Sequence, residues 1–97
     1  MADGFTTVFG IKAANEASGR NWFSKESMEY HGALVETEII GGYYYVESMY
    51  RVAGDPDSGR EYRAVRASDD GAVRYLSGVD TFGSVDAARA YITTVIG

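Results

Sequence analysis

The pair Gly41-Gly42 stands between two alternating runs, residues 33–40 (ALVETEII) and 43–52 (YYYVESMYRV), and no other feature constrains the fold as much. Adjacent glycines supply the positive φ angles of a two-residue type I′ or II′ turn, so the segment predicts a β-hairpin. If Ile40 lies opposite Tyr43, one face pairs Ile39 with Tyr44, Thr37 with Val46, Val35 with Ser48 and Ala33 with Tyr50. The other face pairs Ile40 with Tyr43, Glu38 with Tyr45, Glu36 with Glu47 and Leu34 with Met49. Because side chains alternate along a strand, Tyr43 and Tyr45 share one face while Tyr44 and Tyr50 share the other. The first set is the expected core, and the second carries two tyrosines, three glutamates and three apolar side chains.

The rest of the chain supplies further elements. Residues 5–13 (FTTVFGIKA) alternate and predict an N-terminal strand with Phe5, Thr7, Phe9 and Ile11 on one side. In WFSKESMEYHG, Ser24 is an N-cap candidate, Phe23 and Met28 form a hydrophobic staple, and His31-Gly32 suits a C-terminus, giving a short helix over 25–31. Residues 53–60 (AGDPDSGR) hold the single proline and two glycines and predict a surface loop. A second hairpin follows, with strands at 61–68 and 72–77 and a turn on Asp69-Asp70-Gly71, which pairs Val65 with Tyr75, Ala67 with Val73 and Arg66 with Arg74. Ser84 caps a C-terminal helix over 84–96, whose Val85, Ala88, Ile92 and Val95 recur at helical spacing. The expected fold is α+β in a single domain over residues 1–97. An antiparallel sheet of four to five strands combines the two hairpins with the N-terminal strand, and the C-terminal helix packs on one face.

If Val52 opposes Glu61, the rows extend across four strands. Val46, Ser48, Val65, Ala67, Val73 and Tyr75 then lie beneath the C-terminal helix. The opposite face carries a row Leu34, Met49, Ala64, Leu76 beside a row Glu36, Glu47, Arg66, Arg74, where Arg66 offsets the repulsion of two facing glutamates. Two coverings suit that second face. Either Trp22, Phe23 and Met28 fold over it, or it stays open as an aromatic patch for a partner, tyrosine being enriched at interface cores. On the second view the partner-binding candidates are Tyr43, Tyr45, Glu36, Glu38, Glu47 and Met49.

Composition narrows the chemistry. At 97 residues the chain builds one core and buries roughly 60–65% of its unfolded surface. Nine Lys and Arg against fourteen Asp and Glu give a net charge of −5, which disfavours direct nucleic-acid binding, since that affinity rests on neutralised phosphates. The tyrosines with Arg51, Arg60, Arg63, Arg66 and Arg74 keep a small single-stranded nucleic-acid binder as an alternative. Without cysteine there is neither a disulfide framework nor a thiolate zinc site, and His31 is the single histidine, which leaves no multi-histidine metal site. DPDSGRE lacks the full spacing of a calcium loop. No nucleophile elbow, P-loop or dinucleotide fingerprint occurs, so no catalytic residue, metal or cofactor is expected and the chain is expected to be non-enzymatic. No apolar run reaches the 18 residues of a transmembrane helix, and the opening MADGFTTVFG lacks the pattern of a signal peptide.

The segment 15–30 (NEASGRNWFSKESMEY), with Gly42-Tyr43-Tyr44-Tyr45-Val46 and Tyr62…Val65-Arg66 further on, resembles small uncharacterised proteins of phages and plasmids that carry a GRxWFS segment. The resemblance implies a mobile-element accessory protein in the cytoplasm of a host cell. Such proteins often bind and block a host complex, including defence nucleases, so the expected function is an anti-CRISPR-like inhibitor or modulator whose partner is a host protein. The structural alternative is a homodimer built through the same tyrosine face.

Overall fold

The computed structural model describes residues 4–76 and 81–96. Its elements are α1 (Val8–Ala17), α2 (Lys25–His31), β1 (Leu34–Val35), β2 (Tyr44–Val52), β3 (Asp55–Ala67), β4 (Val73–Tyr75) and α3 (Val85–Ile96). The four strands form one antiparallel sheet in sequence order. α3 packs on one face and the N-terminal helices cover the other.

The expected N-terminal strand is instead the helix α1. Thr7 is extended and its hydroxyl accepts from the Gly10 N–H at 3.3 Å, capping a run rich in good helix formers (Lys12, Ala13, Ala14, Glu16, Ala17). The alternation that suggested a strand is overridden by a helical stripe, of which Ile11 and Asn15 are buried. The Asn15 side chain donates to the Gly71 carbonyl at 2.7 Å, and Arg20 pairs with Asp70 at 3.0 Å, fastening this helix to the β3–β4 turn. A side chain on Gly71 would strike the backbone of Ala14 and Asn15, so glycine serves there both the close approach and its φ of +83°.

α2 forms as expected. Ser24 accepts from the Ser27 N–H at 3.3 Å, and Gly32 ends the helix at φ +60°. Both signals are local, which is why the sequence shows them.

The first hairpin differs in register. Ile40 and Tyr44, rather than Ile40 and Tyr43, exchange backbone hydrogen bonds at 2.7 and 3.1 Å, so the tip spans residues 41–43. Farther out Leu34 faces Ser48 and Val35 faces Glu47, one residue from the expected pairing. The Thr37 hydroxyl accepts from the Val46 N–H at 2.9 Å, taking a donor that a regular ladder would pair with backbone. β1 is accordingly short.

The expected loop at 53–60 is also corrected, because it belongs to the β2–β3 hairpin. The chain turns at Ala53-Gly54, Val52 pairs with Asp55, and Pro56 lies in the exposed first stretch of β3, where a missing N–H is tolerated. Ser58 accepts from the Val52 N–H at 2.9 Å and donates to the Asp55 carbonyl at 2.7 Å, holding an irregularity between Tyr50 and Val52. Beyond it Glu61 faces Met49, not Val52. A shift of three residues is odd, so every β3 side chain changes face. Val65, Ala67, Val73 and Tyr75 therefore join Tyr45, while Ala64 and Leu76 join Val46 under α3. The expected row of Glu36, Glu47, Arg66 and Arg74 does not form; Arg63 is the residue opposite Glu47.

The β3–β4 hairpin has the predicted register and places Gly71 in the left-handed conformation. Ser77, the expected end of that strand, lies outside the described residues. α3 is capped by Ser84, whose hydroxyl accepts from the Ala87 N–H at 3.1 Å, and it buries Ala88 and Ile92. Val95, expected in the buried stripe, is exposed.

Candidate functional site

The six residues predicted to form an open binding face do not form one. Tyr45 is fully buried, and Glu47 and Met49 are buried beside it. Trp22, Phe23 and Met28 pack over this face with Ile11 and Val8 of α1, so the covering arrangement is the one the chain adopts. Tyr43 is half-buried and donates from its hydroxyl to Asp69 at 2.6 Å. Glu36 is half-buried and accepts from the Ser48 hydroxyl at 2.6 Å. Of the six, only Glu38 is exposed.

The open apolar surface lies instead along the N-terminal helices. Phe9 stands 77% exposed on α1. Residues two apart on a helix point about 200° apart, so burying Ile11 against the sheet turns Phe9 outward. It borders a groove of about 630 Å³ whose apolar lining is Val8, Phe23, Met28 and Val35. A second trough of about 490 Å³ shares Val8 and Val35 and continues to Glu36 and Glu38. The combined lining holds four acids (Glu16, Glu29, Glu36, Glu38) and two lysines, of which Lys25 lies 3.9 Å from Glu29. The strand reading hid Phe9 by assigning it to the core; a helical wheel over 8–17 is the signal that exposes it.

Beneath α2 lies a polar cluster of different character. Glu47 is 2% exposed and accepts one hydrogen bond from the Trp22 indole N–H at 3.3 Å. Burial raises its pKa from 4.5 to about 7, against the Trp22 hydrogen bond and the attraction of Arg63, which favour the charged form. Tyr45, two residues away on the same face, is pushed up by burial and then by the Glu47 charge, against the nearby Trp22 indole. That N–H is given to Glu47, and the Tyr45 hydroxyl makes no hydrogen bond of good geometry among the described residues. Tyr75 is raised for the same two reasons. Arg63 holds Glu61 at 3.1 Å and lies 4.5 Å over the Tyr75 ring. A pocket of about 210 Å³ opens onto this cluster, lined by Trp22, Met28, His31, Glu47, Met49 and Tyr75 among others.

Of the arginines considered for nucleic acid, Arg60, Arg66 and Arg74 share by alternation the sheet face of Ala64, and Arg63 lies on the other. Arg60 donates twice to the Gly32 carbonyl and stacks over Tyr50, Arg66 lies over Tyr43 and Tyr44, and Arg63 is in the buried cluster. Among the described residues no group of three or more His, Asp or Glu could hold a metal ion, and no helix is long and apolar enough to cross a membrane. No protein-family model, curated protein or solved structure matches the chain.

Proposed function

We propose that the protein is a binding module that seats a basic amphipathic helix of a host protein in the trough beside α1 and β1. The observation that carries this is the 77% exposure of Phe9 next to a concave apolar groove. Helices recognised in such grooves bring apolar anchors on one face, and a few aromatic contacts dominate the binding energy. The acidic excess of the lining, four carboxylates against two lysines, and the net charge of −5 favour positive flanks on the incoming helix. The resemblance to phage and plasmid accessory proteins supports a host complex as the target, with inhibition, as by an anti-CRISPR protein, as the outcome. On this proposal the protein acts by occupying a surface, and catalysis has no part in it.

The test compares the wild type with Phe9→Asp. The tagged protein is used to capture a partner from host lysate, the partner's basic helix is synthesised, and its affinity is measured for both forms. The expected result is at least tenfold weaker peptide binding by Phe9→Asp with an unchanged thermal melt, since Phe9 contributes little to the core. Equal binding by both forms overturns the trough as the site. A wild type that elutes as a dimer and a Phe9→Asp form that elutes as a monomer would overturn the host-helix proposal and make a second copy the occupant.

A further inference from the structure

We infer that the pocket beneath α2 is a binding site for a primary alkylammonium group, with Glu47 as its counter-ion and Trp22 and Tyr75 as aromatic walls. This site is separate from the Phe9 trough and does not depend on it.

The strongest ground is the state of Glu47. An ionised carboxylate offers about four acceptor positions, and a buried one is costly unless those are filled. Among the described residues Glu47 accepts one side-chain hydrogen bond, from a neutral indole at 3.3 Å. Arg63, opposite it in the ladder, attracts Glu47 but also holds Glu61 at 3.1 Å and lies over the Tyr75 ring. Burial disfavours the ionised form of Glu47, so a cation seated beside it would stabilise that form.

The walls suit an organic cation in particular. Trp22 and Tyr75 meet edge to face with centroids 5.3 Å apart, and Met28 and Met49 add polarisable sulfur. Aromatic faces attract ammonium groups most strongly where water is excluded. The molecule already shows the chemistry once, in Arg63 over Tyr75. About 210 Å³ is far more than the ~10–15 Å³ that one water needs, and within a mixed lining Met28, Ala33 and Met49 suit a short methylene chain behind the charged head. An ammonium at Glu47 would supply three donors to a carboxylate that has one.

Several groups bear on the pH dependence. Tyr45 flanks Glu47 on β2, Glu61 and Arg63 face it from β3, Tyr75 from β4, and Trp22 and His31 border the pocket from the α2 side. Protonating Glu47 removes the counter-ion, so a proton and the ammonium compete.

The protein contains one tryptophan, and it lines the pocket, so its fluorescence and its indole N–H resonance report on the site directly. n-Butylammonium chloride is titrated into the full chain at constant ionic strength, with sodium chloride and n-butanol as controls. The expected result is a saturable Trp22 change with butylammonium alone, at least tenfold weaker at pH 5.5 than at pH 8, and lost in Glu47→Gln. His31→Gln should keep the effect and its pH dependence. If n-butanol acts equally, or Glu47→Gln binds as the wild type does, or no saturable change occurs, the inference is overturned. If Glu47→Gln does not fold, the butanol control and the wild-type pH dependence decide. A lysine-containing tripeptide separates the sources of the group: tighter binding than butylammonium identifies a partner's lysine side chain, and equal or weaker binding a free amine. Because no partner is present, failure here leaves the Phe9 trough standing, and failure of the trough leaves this site standing.

Discussion

The two faces of the sheet are built on different terms. Under α3 the buried apolar side chains are Val46, Ala64, Ala88 and Ile92, with alanines on both helix and sheet that allow a close approach, and the buried Ser48 farther along that face gives its hydroxyl to Glu36. Under α1 and α2 the buried set includes Tyr45, Asn15 and Glu47, and two of these keep polar atoms without partners among the described residues. A small domain has little stability to spare, so buried polar groups that cost free energy and return few hydrogen bonds need another reason to be there. The α3 face holds the fold together, and the opposite face, at a cost, keeps a polar cluster beside a pocket.

The largest effects should therefore separate the tyrosines of β2. Tyr45→Ala should destabilise by about 3–5 kcal/mol, the range for emptying a fully buried aromatic site. Tyr44→Ala, at a half-buried position, should cost less, and Tyr43→Ala least, since Tyr43 gives up a partly exposed hydrogen bond to Asp69. Tyr45→Phe sharpens the contrast: removing a buried hydroxyl that makes no hydrogen bond among the described residues should leave stability equal or raise it by about 1 kcal/mol. Urea melts of the four variants check the order. A Tyr45→Ala variant no less stable than Tyr44→Ala would show that the α1–α2 layer does not seal this face.

That order reverses what the hairpin alone suggests, and the reversal shows what the sequence can reveal. α2, the β3–β4 register and the start of α3 were legible because each is declared within a few residues, by Ser24 and Gly32, by Asp69-Asp70-Gly71 and by Ser84. The division of β2 into two faces was legible too, since alternation is a property of one strand. The assignment of β3 to those faces was not. It depends on how many residues the irregularity around Ser58 absorbs, which hydrogen bonds between distant residues decide. The alternation of Phe5, Thr7, Phe9 and Ile11 was ambiguous for a related reason: two buried positions, Ile11 and Asn15, fit a helix, and the strand pattern used only the first. Glu47 was visible as a site candidate, but its burial followed from the covering by Trp22 and Phe23, which no local pattern in β2 announces.

Glu47 gives the next contrast, because no carboxylate is buried on the α3 face among the described residues. Its folded pKa of about 7 lies above the ordinary 4.5, so the folded state holds the proton more tightly than the unfolded chain. The stabilisation this gives is fully present below about pH 4.5 and is lost as pH rises through 7, by an amount on the order of 3 kcal/mol. Glu47→Gln should keep the Trp22 hydrogen bond, since the amide oxygen also accepts, and should remove the titration. The variant should therefore gain stability over the wild type between pH 5 and pH 8, and the difference between their melts should grow with pH. A difference that stays constant over that range would mean that Glu47 is solvated and ordinary.

The smallest expected effect compares the caps of the two layers. Ser84 caps α3 through the Ala87 N–H at 3.1 Å, and Thr7 caps α1 through the Gly10 N–H at 3.3 Å. Loss of such an oxygen leaves a helix N–H without its partner, and each cap is worth about 1 kcal/mol. A domain of this size shifts its Tm by roughly 4–8 °C per kcal/mol, so Ser84→Ala should be visible in a thermal melt. Ser84→Asp should recover the loss, because a carboxylate accepts the same hydrogen bond and its charge suits the helix N-terminus. Thr7→Ala should lower global stability by a similar amount if α1 unfolds together with the sheet. If α1 can open alone, Thr7→Ala should leave the melt unchanged and instead speed amide exchange within Val8–Ala17, while Ser84→Ala affects the whole chain. Hydrogen exchange on the two variants distinguishes these outcomes. Faster exchange confined to α1 would show that the polar face is covered by a layer that can lift, and exchange sped up alike in α1, the sheet and α3 would show both faces to be one cooperative unit.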